Sequence, residues 1–290
     1  MLSALVAVGC GAADSSTSAN RFDGSRAMSL LRAQVAVGQR PAGSPQLRNL
    51  AVMLRDMMAS EPGSPIKDVH FEPFPSTGPQ QGLRNIVGVL PGRAPAILIG
   101  AHYDTEWHPK GFVGANDSAA GTAAVMELAR SLPNELPRDH REIRFVLFDG
   151  EEDPPGCTDR DFQFCALRGS RAYATAHPGQ TGDMILLDYI ANRRAQIRRE
   201  ANSNVGLWEQ LRQAAGEVGA TEIFPPGIQG GVIDDHYPFL EQGVPSIDLI
   251  DFSYAYADTL QDTVDKLDPA VLDKVGETVA QLVIDMNGGG

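Results

Sequence analysis

The feature that most constrains this chain is the hexapeptide at residues 96–101, Ala-Ile-Leu-Ile-Gly-Ala, which carries no polar side chain on either of its alternating faces. A strand with one wet face alternates apolar and polar residues, whereas an unbroken apolar strand has both faces covered by helices. A second buried strand is expected over residues 142–149, and others over 69–74, 85–90 (closed by Pro91-Gly92), 183–190 and 245–250. Apolar residues recur at helical spacing over 27–58, broken by Pro41-Ala-Gly-Ser-Pro45 into two helices. The same spacing returns over 119–132, with Gly121 in its first turn, and over 169–177, 205–218 and 269–286. Alternating strands and helices predict an α/β fold with a mostly parallel, mixed sheet and helices on both faces. A length of 290 residues with 42% hydrophobic content suits one core. The chain is therefore a single domain over 26–287.

A net charge of −13 excludes a generic affinity for nucleic acid or an anionic membrane unless a basic patch exists. The nearest approach to one, Arg193, Arg194, Arg198 and Arg199, falls on more than one helical face and reads as a solvated helix followed by a polar loop. The apolar start MLSALVAVGC resembles the tail of a bacterial lipoprotein signal, although no Lys or Arg precedes Cys10; a frayed apolar N-terminus is the other reading. Residues 11–25, small and polar, read as a flexible tether. On the first reading the protein is exported, lipid-anchored at Cys10, and periplasmic or on the outer surface. No run approaches the roughly eighteen apolar residues of a membrane-spanning helix. Cys157 and Cys165 remain, either bonded to each other in an oxidising compartment or as two free thiols.

In open sheets of this kind a ligand site forms beyond the carboxyl ends of the strands. The acidic and imidazole groups gather there: His102 and Asp104 after 96–101, Glu151 and Glu152 after 142–149, Asp188 at the end of its strand, and Asp258 after the last. His102-Tyr103-Asp104 and the loop Gly114-Ala115-Asn116-Asp117-Ser118 each offer a ligand to one ion, with Asp104 orienting the imidazole from behind. In Phe148-Asp149-Gly150-Glu151-Glu152 successive side chains diverge. One carboxylate can then hold a metal while its neighbour acts as general base.

In order, HYD, GANDSAAG, FDGEE, RGSRAYA, LLDYI, DDHYPFLEQGVP and DTLQDTVDKL resemble the zinc aminopeptidases and, more closely, the glutaminyl-peptide cyclotransferases related to them. The resemblance runs from about Asn85 to the C-terminus. It implies Asp117 and Glu152 as metal ligands, Glu151 as the acid/base, and one or two Zn2+ ions as cofactor. It also implies that His102 and Asp188 complete a second metal site in the aminopeptidases, whereas in the cyclases Asp188 shares a proton with the acid/base. Asp235 matches an acidic residue of the cyclase hydrogen-bond network, with His236 beside it in the pocket wall.

The resemblance departs at Ala257-Asp258-Thr259, where the family has Trp-His-Thr, the pocket aromatic and the last His ligand. Asp258 is expected as an oxygen ligand in its place. That makes a harder site, better suited than the family's to manganese, calcium or magnesium, but zinc stays the expectation because His102 is available. Trp107, in the loop between the first two motifs, and Tyr256 are candidates for the pocket aromatic. A monomer is expected, and the resemblance implies action on peptide or protein N-termini, either cyclising an N-terminal glutamine with loss of ammonia or hydrolysing the first peptide bond. A binding protein or degenerate homologue on the same scaffold is the third reading. His70, His140 and His177 read as surface or strand-end residues, His108 as a loop residue without a role, and Trp208 as core.

Overall fold

The computed structural model describes residues 20–76, 80–158 and 160–288. Helix α1 (Gly24–Val35) starts where the Asp23 side chain accepts the Arg26 N–H, and α2 (Pro45–Ser60) where Ser44 does the same for Leu47, with proline in the first turn. Strands β1 (Asp68–Pro73), β2 (Arg84–Leu90) and β3 (Arg93–His102) follow, then α3 (Ala119–Ser131) and β4 (Arg141–Phe148). A four-residue helix α4 (Phe162–Cys165) leads into α5 (Arg168–Ala176), β5 (Thr181–Leu187) and α6 (Val205–Glu217), the last capped by Asn204. The short α7 (Tyr237–Leu240), β6 (Ser246–Leu249) and α8 (Pro269–Asp285) complete the chain.

The six strands form one sheet in the order β1-β2-β4-β3-β5-β6. β1, β2 and β4 pair antiparallel, whereas β4, β3, β5 and β6 run parallel. The period-two rule sorts the apolar strands cleanly. Ile97, Ile99, Ile143, Phe145, Leu147, Ile185, Leu187, Ile247 and Leu249 face one core with α1, α2, α3, α6 and α8. Their neighbours Leu98, Val146, Phe148, Met184 and Leu186 face a second core closed by Tyr173 of α5 and Phe239 of α7. Helix α3 lies so close to the sheet that a Cβ on Gly121 would come 2.0 Å from the Leu187 carbonyl oxygen, so only glycine fits there.

The structure differs from expectation in three places. The tether ends before residue 25: Phe22 is buried against Gly276, and the Arg21 and Phe22 amides donate to Glu277. The Arg-rich stretch is not helical, because its amides are spent elsewhere. Gln196 donates to Asp251 and Ile197 to the Ile223 carbonyl, while Arg193 and Arg199 bond to the carbonyls of Asp265 and Ser203. The strand expected to reach residue 190 stops at Leu187, two residues before Tyr189 takes a left-handed backbone with φ 44°. Cys157 and Cys165 are disulfide-bonded. Cys10 lies outside the described residues. Among those described, no helix is long and apolar enough to cross a membrane.

Candidate metal centre and active site

The parallel strands deliver their carboxyl ends to one place. His102 closes β3, Glu151 and Glu152 follow β4 by a tight turn, and Asp188 follows β5 with its N–H on the Leu249 carbonyl of β6. His102 Nε2 lies 3.1 Å from Asp117 Oδ1 and 3.6 Å from Asp188 Oδ1, and its Nδ1 is 3.8 Å from Glu151 Oε2. One donor atom each from His102, Asp117 and Glu152 falls within 4.8 Å of the other two. All three side chains are buried.

Local sequence explains why the turns hold. Gly150 has φ 75°, a left-handed conformation that glycine adopts without penalty. Arg168 of the RGSRAYA motif donates to the carbonyls of Gly150 and Glu152 at 3.1 and 2.8 Å. The Asp104 carboxylate accepts the N–H of Glu151 at 3.2 Å and, more weakly, that of Glu152 at 3.4 Å. Asp104 was expected behind His102, but its oxygen is 3.7 Å from Nδ1, which has no hydrogen-bond partner. It still acts on the imidazole through its charge, and its hydrogen bonds go to the two glutamate amides. Asp262, which the motif reading did not single out, accepts the N–H of Asn116 and Asp117 and the Tyr254 hydroxyl.

The electrostatics are those of crowded acids. Burial, and then the charges of Asp117 and neighbouring Glu151, push the Glu152 carboxyl well above its usual range. Glu151 is raised by burial and by Asp234 and Asp235, against the opposing pull of His102. Asp188 is pushed up to about 8, mainly by burial. His102 is the counter-case: burial works to lower its pKa, but Asp104, Asp117, Asp188 and Glu151 together hold it well above the ordinary value. So many acids around one imidazole require bound protons or a cation. A divalent metal fits: the donors are one imidazole nitrogen and two carboxylates, and Glu152 Oε1 is buried without a partner.

Asp258 stands outside the group of three. Its carboxylate accepts the Tyr189 hydroxyl at 2.8 Å, and the same hydroxyl lies 3.1 Å from Asp117 Oδ2. Asp235 is fully buried, its carboxyl raised well above the usual range by burial and by Asp234. Asp234, passed over in the sequence beside it, acts electrostatically on Glu151 and Asp188 as well. The doublet itself was the signal. His236 is not in a pocket wall: it is fully buried, with Nε2 3.3 Å from Glu200 and Nδ1 3.9 Å from Asp248. Trp107 and Tyr256, at 40% and 38% exposure, are accessible from solvent. Half-buried Glu106, next to Trp107, is pushed up to about 8 by burial and by the charges of Asp258, Asp117 and Asp153.

Comparison with known proteins agrees with this geometry. The model of peptidase family M28 matches residues 85–283. A glutaminyl-peptide cyclotransferase of Bos taurus is 29% identical over 243 residues, covering 69% of this chain and 65% of that protein. The chain thus spans somewhat under two thirds of the length of the curated relatives it matches. Among solved structures, an Acidobacteriales bacterium glutaminyl cyclase is 28% identical with TM-score 0.79, over 97% of this chain and 100% of that one. A Porphyromonas gingivalis glutaminyl cyclase is 27% identical with TM-score 0.80, over 92% and 100%.

Proposed function

Because the chain belongs to peptidase family M28, we propose that it is a metal-dependent enzyme acting on peptide N-termini, and specifically a glutaminyl-peptide cyclotransferase. The observation that carries this reading is the placement of Glu151. Its carboxyl is buried, raised in pKa and 3.8 Å from His102, next to the one group of three metal-ready donors among the described residues.

His102, Asp117 and Glu152 would hold the ion, with zinc the leading candidate given the imidazole nitrogen among the donors. When bound, such an ion supplies Lewis-acid polarisation of the side-chain amide carbonyl of an N-terminal glutamine. Glu151 accepts a proton from the α-amino nitrogen as that nitrogen bonds to the amide carbon. It then delivers the proton to the departing nitrogen as the C–N bond breaks, releasing ammonia and leaving a five-membered lactam. A carboxyl raised above its usual range by burial, and then by Asp234 and Asp235 against the pull of His102, suits a group that must both take and give a proton.

One observation favours aminopeptidase activity as the second reading. His102 Nε2 lies near both Asp117 and Asp188, so Asp117 and His102 with Asp188 form one possible donor set and Asp117 with Glu152 is left for another, Asp117 being common to both. Glu151 would then take its proton from a water attacking the first peptide bond. The discriminating experiment incubates zinc-supplemented protein with two peptides, one led by glutamine and one by leucine, and follows both by mass spectrometry. Loss of ammonia from the first alone supports the cyclase; release of the leading residue supports the peptidase. Turnover of neither supports a non-enzymatic role.

The N-terminal MLSALVAVGC supports export with lipid attachment at Cys10. Metabolic labelling with palmitate should mark the wild-type protein and not Cys10→Ser; label in neither would remove this part of the reading.

A further inference from the structure

Two residues of the linker between α1 and α2, Gln39 and Arg40, reach the site from behind. Gln39 Nε2 donates to the carbonyls of Glu106 and Pro109 at 2.9 and 3.2 Å, and its Oε1 accepts the Gly111 N–H at 2.9 Å. These bonds close around the turn that carries Trp107. Arg40 is completely buried, and its backbone exchanges hydrogen bonds with Thr105. Its guanidinium donates to the carbonyls of Tyr103 at 3.3 Å, Val113 at 2.7 Å and Gly114 at 3.2 Å, and to Ser118 Oγ at 2.6 Å.

Arg40 therefore grips the loop that presents Asp117 on both sides of that residue. From the other direction Asp262 accepts the amides of Asn116 and Asp117. A cation collects the loop's carbonyls and an anion its amides, which leaves the Asp117 carboxylate oriented toward His102. A buried guanidinium is costly to desolvate, and an apolar side chain fills space more cheaply. Burial brings the Arg40 pKa down to about 10, opposed by the nearby charges of Asp117, Asp104, Asp262 and Glu152, so it remains a cation at neutral pH.

We propose that Gln39 and Arg40 are positioning residues with separable roles: Gln39 sets the Trp107 wall of the substrate pocket, and Arg40 sets Asp117 for the metal. The use of Trp107 by substrate and of Asp117 by a metal rests on the functional reading above. Gly111, held by Gln39, also lies beside Leu260, so the same turn is packed against the segment that carries Asp258.

The test uses the full chain, zinc-loaded, in three variants. Gln39→Ala should raise KM for a glutamine-led peptide about fivefold or more with kcat within about twofold. Its zinc affinity, measured by chelator competition, should not change. Acrylamide quenching of tryptophan should increase, since Trp107 is 40% exposed and Trp208 3%. Arg40→Lys keeps the charge but loses the planar fork, so zinc affinity should fall about tenfold or more. KM at saturating zinc should stay within about twofold. Ser118→Ala removes one of the Arg40 bonds and should weaken zinc binding in the same direction, about threefold, even if Arg40→Lys does not fold. Zinc affinity and KM moving together in every variant, or neither moving, would overturn the proposal. If the wild-type protein turns over neither peptide, the functional reading fails, while the quenching and zinc measurements still decide whether the clamp exists.

Discussion

The hydroxyl of Tyr189 lies 2.8 Å from Asp258 Oδ1, and both residues hold a left-handed backbone, φ 44° and 55°. Two non-glycine residues in that region, joined side chain to side chain, are a local strain that surrounding structure must support. Asp258 was expected to stand in for the family's last histidine ligand, yet its carboxylate is engaged by tyrosine and lies outside the group formed by His102, Asp117 and Glu152. Asp258→Ala should therefore change zinc affinity by no more than about threefold, against a loss of about a hundredfold or more for Asp117→Ala. Equal losses, by competition with a chromophoric chelator, would make Asp258 a ligand after all.

Glu151→Gln preserves size and removes the proton acceptor. Turnover should fall by about 10³-fold, while zinc still binds with wild-type stoichiometry. Metal content by atomic absorption, alongside kcat, separates this from loss of the site. Retained turnover would require another base.

Trp107→Ala should raise KM for a glutamine-led peptide with a smaller effect on kcat, as expected of an indole that forms the aromatic wall of the pocket. Steady-state kinetics at saturating zinc decides this. An unchanged KM would transfer the pocket role to Tyr256.

Glu200 gives a pH prediction away from the metal. Burial alone would raise its carboxyl, but His236 and the amides of Asn202 and Val232 overcome it and hold the pKa down to about 2. A depressed folded-state pKa stabilises above the unfolded value of about 4.3 and is lost as pH falls through about 2. Glu200→Gln should cost about 2 to 3 kcal/mol at pH 7 and about half as much at pH 3, in urea unfolding. A cost that does not change with pH would assign the loss to packing.

Most of the fold was legible because both periodicities are strong: the apolar strands at 97–99 and 143–147 sort by alternate residues onto two cores. The departures at the tether and at the Arg-rich stretch arose where tertiary hydrogen bonds outrank local pattern. The amides of Gln196 and Ile197 go to Asp251 and Ile223, and no helical spacing reveals that. Within the site, His102, Glu151, Glu152 and Asp188 were readable because each ends or closely follows a strand, and Asp117 because its loop opens α3. Arg40, Gln39 and Asp262 were not, since each acts across more than sixty residues on backbone groups, which leave no trace in side-chain motifs. His236 was misplaced for a related reason: its partners Glu200 and Asp248 come from distant segments.

The most direct test of the central claim is to strip the protein of metal, add zinc back in steps, and measure ammonia released from a glutamine-led peptide, with Glu151→Gln in parallel. The account predicts that release is absent without metal, rises with zinc to a plateau in the wild-type protein, and stays near background in the variant although the variant binds zinc. Ammonia release that is independent of metal, or equal in Glu151→Gln, would contradict it.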